Sequence, residues 1–340
     1  MSAAYRKSVW CAEVVAGQDV EEVFCISRLE RRTGKSGGAF LRLVLVDRSG
    51  TLAGVAFDEV ERLQELITEG GYARFRGRID TFNEAPQLKV ETAEPVAPSE
   101  LDLMEFLPRG ETPGEESVAR IRELAGSMRN AHLKRLVLSF LDDPAFAPLF
   151  RDAPAAMLNH HAYVGGLAEH THSLMRLCDL ACVHYPDLDR DLLLAGAFFH
   201  DIGKTRELAV KPGFPYTEEG TLVGHIAIGY AMVMERIDRT AGFPADLRTD
   251  VGHMILSHQG ELEWGSPVKP QTVEAMTLHY LDNLDAKLAT ARPHLAGVES
   301  GRTSYVRSLG RALFRRGASA EALPDVADRP GSLFDDIPPR

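Results

Sequence analysis

The sequence predicts a chain of α and β parts, a small N-terminal five-stranded β-barrel followed by an all-α helical bundle. Residues 14–96 alternate apolar and polar side chains in short runs broken by turn residues, which is the two-residue period of strands. Residues 114–316 instead repeat their apolar positions at helical spacing. Eleven of the twelve histidines fall between His160 and His294, so the ionisable chemistry is concentrated in the helical part. A chain of 340 residues can bury a sizeable core, and two domains are the default at that length.

Composition narrows the class. With 44% hydrophobic and 26% charged residues, the chain reads as an ordinary soluble protein. Its longest apolar run, Leu192–Phe199, is far below the roughly 20 residues of a membrane span. No apolar block follows Met1–Lys7, so no secretory signal is expected. The four cysteines show no spacing typical of a disulfide framework, which suits a reducing cytoplasm. Cys178 and Cys182, one helical turn apart, read as small core residues. The net charge of −11 argues against a polyanion binder that works by bulk charge, but not against local patches or bound cations.

The strands come in order. Val23–Ile26 leads into a basic, turn-prone segment, Arg31–Gly38. Phe40–Val46 follows, then the hairpin signal Asp47-Arg48-Ser49-Gly50 and a strand at Thr51–Phe57. Asp58–Glu69 reads as a short helix. In Tyr72–Ile79, Arg74, Arg76 and Arg78 share one face and Ala73, Phe75, Gly77 and Ile79 the other. Gln87–Val90 is the last strand. Five strands with a helix before the fourth suit an OB-type barrel. The arginine face, with Arg31, Arg32 and Lys35 in the loop, favours a phosphate backbone as ligand; the alternative is a solvated strand face. Phe40 and Phe82 could stack on bases or lie in the core.

Residues 97–113, rich in Pro, Gly and acids, read as a linker. Glu115–Ser127 and Ala131–Asp142 are amphipathic helices, and Pro144–Asp152 is a break. In the helix Gly166–His184, His170 shares a stripe with Leu167, Leu174, Leu177, Cys178 and Ala181, while His172 faces away. An apolar helix, Leu192–Phe199, runs into His200-Asp201, with Gly203 as a natural stop. His225 opens the next helix, on a face with Gly229, where a glycine permits close backbone approach. In Asp246–His258, His258 points inward and His253 lies on the polar side. The helix Thr272–Ala291 is apolar on two sides. Val273, Thr277, Tyr280, Leu281, Leu284 and Leu288 form one, and Asp282 sits in the other, among Ala275, Leu278, Ala286 and Ala289. Asp285, at the edge beside Glu274, is the weaker candidate. A buried carboxylate needs a cation or several donors. Four helices each turn an ionisable group inward and the His-Asp pair ends a fifth, which points to convergence.

At this point the chain resembles the HD-domain metal phosphohydrolases, through "HHAYVGGLAEHTHSL", "LLLAGAFFHDIGKTREL", "YTEEGTLVGHIAIG", "HMILSHQGELEWGSP" and "EAMTLHYLDNLDAK". The resemblance is closer to one branch, the YhaM-type 3′→5′ exoribonucleases, which join an OB domain to an HD domain. Here the OB part is carried by "FLRLVLVDRSGTLAGVAFD" and "YARFRGRIDTFNEAPQLKV". It implies that His170, His200, Asp201 and Asp282 hold one metal ion and that His225 and His258 help hold a second, with Asp201 between them. Mixed imidazole and carboxylate donors suit Mn²⁺ first, with Fe or Zn²⁺ as alternatives. Lys204 is expected to clamp a phosphate. His160 and His161 are expected to touch substrate, to support the ligands or to cap a helix. His258-Gln259 stands where relatives often carry paired histidines, which counts against a third metal. Trp264-Gly265-Ser266-Pro267 stands in place of the Gly-Tyr-Pro signature of cyclic-dinucleotide phosphodiesterases.

The resemblance therefore implies a cytoplasmic, metal-dependent 3′→5′ exoribonuclease releasing 5′-mononucleotides from single-stranded RNA, with single-stranded DNA as a second substrate and homo-oligomers as an assembly option. The alternatives are a phosphohydrolase of free nucleotides and a non-catalytic nucleic-acid-binding or regulatory protein. The basic stretch Ser304–Arg316 reads as a helix that contacts RNA or lies solvated. Residues 317–340 are expected to be disordered.

Overall fold

The computed structural model of the chain describes residues 5–34, 37–82, 85–110, 112–157 and 161–317. Lys35, His160 and nearly all of the expected disordered tail lie outside them. By their contacts the residues divide into two units, 1–285 and 286–340.

The first unit begins with a closed barrel in the order β1-β2-β3-β5-β4. Its strands are β1 (Asp19–Thr33), β2 (Ala39–Asp47), β3 (Gly50–Ala56), β4 (Tyr72–Phe82) and β5 (Ala85–Val96), with helix α1 (Val60–Leu66) before β4. Among the described strands of the barrel, β3 and β5 pair in parallel and the other pairs are antiparallel. β1 is longer than the sequence suggests because a register shift between Ile26 and Arg28 bends it. Its first half, Asp19–Cys25, pairs with β4 and its second half with β2. Arg31 and Arg32 therefore stand on a strand rather than in a loop, which corrects the sequence reading. Phe24, Leu41, Leu43, Leu45, Phe75 and Ile79 fill the interior.

The expected linker is not loose. Two short 3₁₀ turns, Pro98–Glu100 and Leu103–Phe106, carry it along the barrel. Phe106 packs edge-on against Tyr72 at 5.1 Å between centroids. The next residue, Leu107, packs with Val164 and Phe214 of the helical part. Both are fully buried.

The helices follow as α2 (Gly114–Ser127), α3 (Ala131–Leu141), α4 (Ala147–Asp152), α5 (Gly166–His184), α6 (Arg190–Phe199), α7 (Lys204–Glu207), α8 (Glu218–Val223), α9 (His225–Asp238), α10 (Ala245–Ser257) and α11 (Val273–Ala296). α6 is the central one: Asp189 caps it by accepting Leu192 N–H at 3.0 Å, and Leu193–Phe199 are all buried. Phe198 and Phe199 meet Phe140 and Phe150 in an aromatic cluster. Gly203 is not a helix stop, since its backbone is right-handed at φ −65°. Its role is approach: a Cβ there would collide with the carbonyl of His225, and Gly229 lies against Gly203 in turn. This contact seats the start of α9 on the His-Asp pair. Among the described residues no helix is long and apolar enough to cross a membrane.

The second unit holds the end of α11 and a hairpin, β6 (Gly301–Val306) and β7 (Arg311–Arg315), where the sequence suggests a helix. Thr303, Tyr305, Val306 and Phe314 favour pleated backbone, and Gly310 takes the left-handed turn at φ +64°.

Candidate metal centre

Five helices bring their ionisable groups to one place. α5 supplies His170, the end of α6 supplies His200 and Asp201, α9 opens with His225, α10 ends at His258 and α11 supplies Asp282. His170, His200, Asp201 and His258 are buried. The donor atoms of His170, His200 and Asp201 lie within 4.8 Å of one another, as do those of Asp201, His225 and His258.

Asp201 faces both ways. Its Oδ2 lies 3.2 Å from His200 Nε2 and 4.0 Å from His170 Nε2. Its Oδ1 lies 3.3 Å from His225 Nε2 and 3.7 Å from His258 Nε2. Asp282 Oδ1 joins the first group, 3.1 Å from His170 Nε2 and 3.9 Å from His200 Nε2.

The four imidazoles are aimed by one device. Each Nδ1 is engaged behind the ring: His170 by Asp285 at 2.8 Å, His200 by the Ala197 carbonyl at 2.8 Å, His225 by Glu207 at 3.0 Å and His258 by the Ile255 carbonyl at 2.7 Å. A proton on Nδ1 leaves the Nε2 lone pair pointing into the centre, as metal ligation requires. Glu207 and Asp285 thus hold two of these imidazoles; the sequence reading missed the first and ranked the second low. Ser173 Oγ donates to Asp285 at 2.7 Å, and His279 Nδ1 reaches the His258 carbonyl at 2.9 Å.

The residues present fit a divalent ion. Asp201 Oδ1 and His225 Nε2 are buried and neither has a hydrogen-bond partner. With Nδ1 committed to Glu207, His225 offers a lone pair to a carboxylate oxygen that is also only an acceptor. Two acceptors 3.3 Å apart in a dry site leave an uncompensated desolvation cost that a cation between them removes.

Charge follows the same plan. Burial pushes the Asp201 carboxyl up, but Lys204 and His200 outweigh it and hold it well below the usual range. Burial also works against the Asp282 carboxylate, and the hydrogen bond from His170 with the nearby His200 keeps it ionised. Burial lowers His258 to about 4, so it stays neutral. Burial disfavours protonated His170, yet Asp282 and Asp285 raise it to about 10. An ion at this centre must therefore displace a proton. Lys204 Nζ sits on Asp201 Oδ2 at 2.6 Å.

The remaining expectations fall as follows. His161 packs beside the His170 ring, 5.6 Å between centroids, with Nε2 3.9 Å from Asp285. Its Nδ1 meets Tyr163 Oη at 2.8 Å, and Tyr163 donates to Glu169. This places it beside the His170 edge that Asp285 holds. His253 accepts Gln271 N–H instead, and His172 lines a separate groove with Arg120, Arg176 and Arg190.

The basic residues of the barrel are not one cluster. Arg74 stands opposite Glu94, Arg76 opposite Glu21, and Arg78 between Asp19 and Lys89. At the far end of β1, Arg28 and Arg32 share Glu30 at 2.8 and 2.6 Å, with Arg42 facing Glu30 across β2. Arg31 pairs with Glu61 at 2.7 Å. Phe40 is half-buried against Phe57 at 5.7 Å, and Phe82 is exposed.

Comparison with known proteins agrees with this architecture. A profile of the HD domain matches residues 167–287, and one of an OB-fold nucleic acid binding domain matches residues 26–96. The chain is 34% identical over 288 residues to the 3′-5′ exoribonuclease YhaM of Bacillus velezensis, covering 84% of this chain and 90% of that protein. It is 35% identical over 288 residues to YhaM of Bacillus subtilis, with the same coverage. YhaM of Bacillus pumilus is 33% identical over 286 residues, again with 84% and 90% covered.

Proposed function

Because the chain belongs to the YhaM family of 3′-5′ exoribonucleases, we propose that it shortens single-stranded RNA from the 3′ end and releases 5′-mononucleotides at the centre built on Asp201. The protein is a metal-dependent hydrolase with an RNA substrate. The observation that carries the site assignment is the sharing of one buried carboxylate between two imidazole sets, with one oxygen left without a donor.

We assign His170, His200, Asp201 and Asp282 to one ion and Asp201, His225 and His258 to a second, with Mn²⁺ as the first choice for the mixed donors. Ions held there supply a deprotonated water and neutralise the charge that builds on the phosphoryl oxygens. The chain's own part is positioning. The bonds to Nδ1 fix the imidazoles before substrate arrives, and burial excludes bulk water. Lys204, already charged beside Asp201, is placed to swing its ammonium from that carboxylate to a phosphate. On the barrel, Arg28, Arg32 and Arg42 around a single Glu30 keep a net positive face next to Phe40, which suits a phosphate backbone better than the β4 row, where Arg74, Arg76 and Arg78 each face an acid. We assign the protein to the cytoplasm, a reading that the free thiols Cys11, Cys25, Cys178 and Cys182 support.

A 5′-labelled RNA incubated with Mn²⁺ tests the reading, with a matched DNA alongside. A ladder shrinking from the 3′ end is expected, and Asp201→Ala should slow it at least about a thousandfold. Turnover confined to free nucleotides, or a ladder unchanged by Asp201→Ala, overturns it.

A further inference from the structure

Beside the metal centre three aromatic rings stand in a row. Trp264 lies 5.8 Å from His279 between centroids, and His279 lies 5.0 Å from Tyr280. The inner ring is buried, yet Trp264 and Tyr280 are 55% and 68% exposed. We propose that Trp264 and Tyr280 form a stacking platform for the bases of single-stranded nucleic acid entering the centre. The inference rests on the exonuclease reading above and adds the surface that holds the chain being degraded.

The row is tied to the centre. His279 Nδ1 donates to the carbonyl of His258, whose Nε2 is aimed at Asp201. His279 can lie that close only because residue 260 is a glycine, since a Cβ there would run into the imidazole. Gly260 also takes φ +80°, which costs a glycine nothing.

The exposure of Trp264 does not come from a loose loop. Trp264 N–H donates to Glu261 O at 3.0 Å, and Lys269 pairs with Glu261 at 2.7 Å. The buried Ser266 donates to Val268 O at 2.7 Å. A hydrogen-bonded turn thus presents a large ring outward, next to exposed Leu262, and Met276 is exposed one turn before Tyr280 on α11. Glu263 is exposed on the same turn, so the surface favours bases over phosphates. Every base has a π-face, and stacking lets one surface accept any sequence, as an enzyme that removes nucleotides in succession requires.

The chain has two tryptophans, Trp10 and Trp264. In Trp10→Phe protein freed of metal by chelation, adding a short oligoribonucleotide should quench the Trp264 emission. Steady-state hydrolysis of a base-bearing oligoribonucleotide is then compared with one abasic at its 3′-terminal positions. Wild type should favour the base-bearing substrate, and Trp264→Ala with Tyr280→Ala should lower that preference about 5- to 150-fold, mostly through KM. Trp264→Phe should retain it. Equal losses on both substrates, no change on either, or an absent quench overturn the platform. A subunit dissociation in the double variant with the preference intact overturns it in favour of a contact between copies. Wild type that fails to shorten RNA removes the exonuclease reading itself, whereas wild type that makes a ladder without base preference removes only the platform.

Discussion

A histidine ligand is only as good as the group behind it. His170 and His225 are backed by the carboxylates of Asp285 and Glu207, whereas His200 and His258 rely on backbone carbonyls, which substitution cannot remove. Glu207→Gln and Asp285→Asn should each weaken Mn²⁺ binding about 10- to 100-fold, read by calorimetry on metal-free protein. Affinity unchanged in both would show that these carboxylates do not orient ligands. Lys204 gives a second expectation. In the metal-free protein it is the ammonium partner of Asp201, so Lys204→Met should cost about 3 kcal/mol of stability there and much less with Mn²⁺ present. Thermal melts with and without the ion decide, and an equal loss in both sinks the idea. The inward histidines were legible in the sequence because helical spacing alone separates His170 from His172 and His258 from His253. Glu207 was not, because an acid in a short polar segment looks like any solvated residue until the fold buries it.

Helix contacts were less legible than helix faces. Gly203 looks like a stop in the sequence, yet it serves the approach of α9, and nothing local says which backbone will lie against it. Gly203→Ala should destabilise the protein by about 2 kcal/mol, seen in its denaturant midpoint, and weaken metal binding by displacing His225. A variant with native affinity would refute that role. α11 likewise reads as apolar on two sides, but on the first Val273, Tyr280 and Leu284 are exposed and Leu281 packs against the core, while the side bearing Ala275 and Leu278 is covered. The N-terminal segment offers a pH signature. The Lys7 ammonium is buried over Phe24, donates to the Val23 carbonyl at 2.6 Å and pairs with Asp47. Burial outweighs Asp47 and lowers Lys7 from 10.5 to about 8. Between those values the unfolded chain binds more protons than the folded one, so this group makes stability rise with pH from about 8 towards 10.5. Burial raises the Cys11, Cys25 and Tyr72 groups and pulls the other way as they titrate. Lys7→Met should therefore make stability rise less, or fall more steeply, with pH than in wild type in urea melts across the window; an unaltered slope would contradict the assignment.

For the whole molecule, a net charge of −11 and an RNA substrate are compatible if binding uses local positive surface or bound cations, and the barrel is where the first can be tested. If Arg28, Arg32 and Arg42 meet phosphates, each loss should reduce the slope of log affinity against log salt by about 0.7. Arg76→Ala, opposite Glu21, should leave that slope nearly unchanged. Equal effects at both faces would move the contact elsewhere. The two-part plan was legible from periodicity, but the join was not, since a segment rich in proline and acid gave no hint of being buried. Phe106 is seated in the barrel and Leu107 among the helices, so two successive residues hold both parts at once. A ruler built this way has a shortest measurable object. Once an oligomer is trimmed below the span from barrel to scissile bond it loses one of its two grips, and digestion should stall at a fixed remnant size that longer spacers between Phe106 and Leu107 would shift.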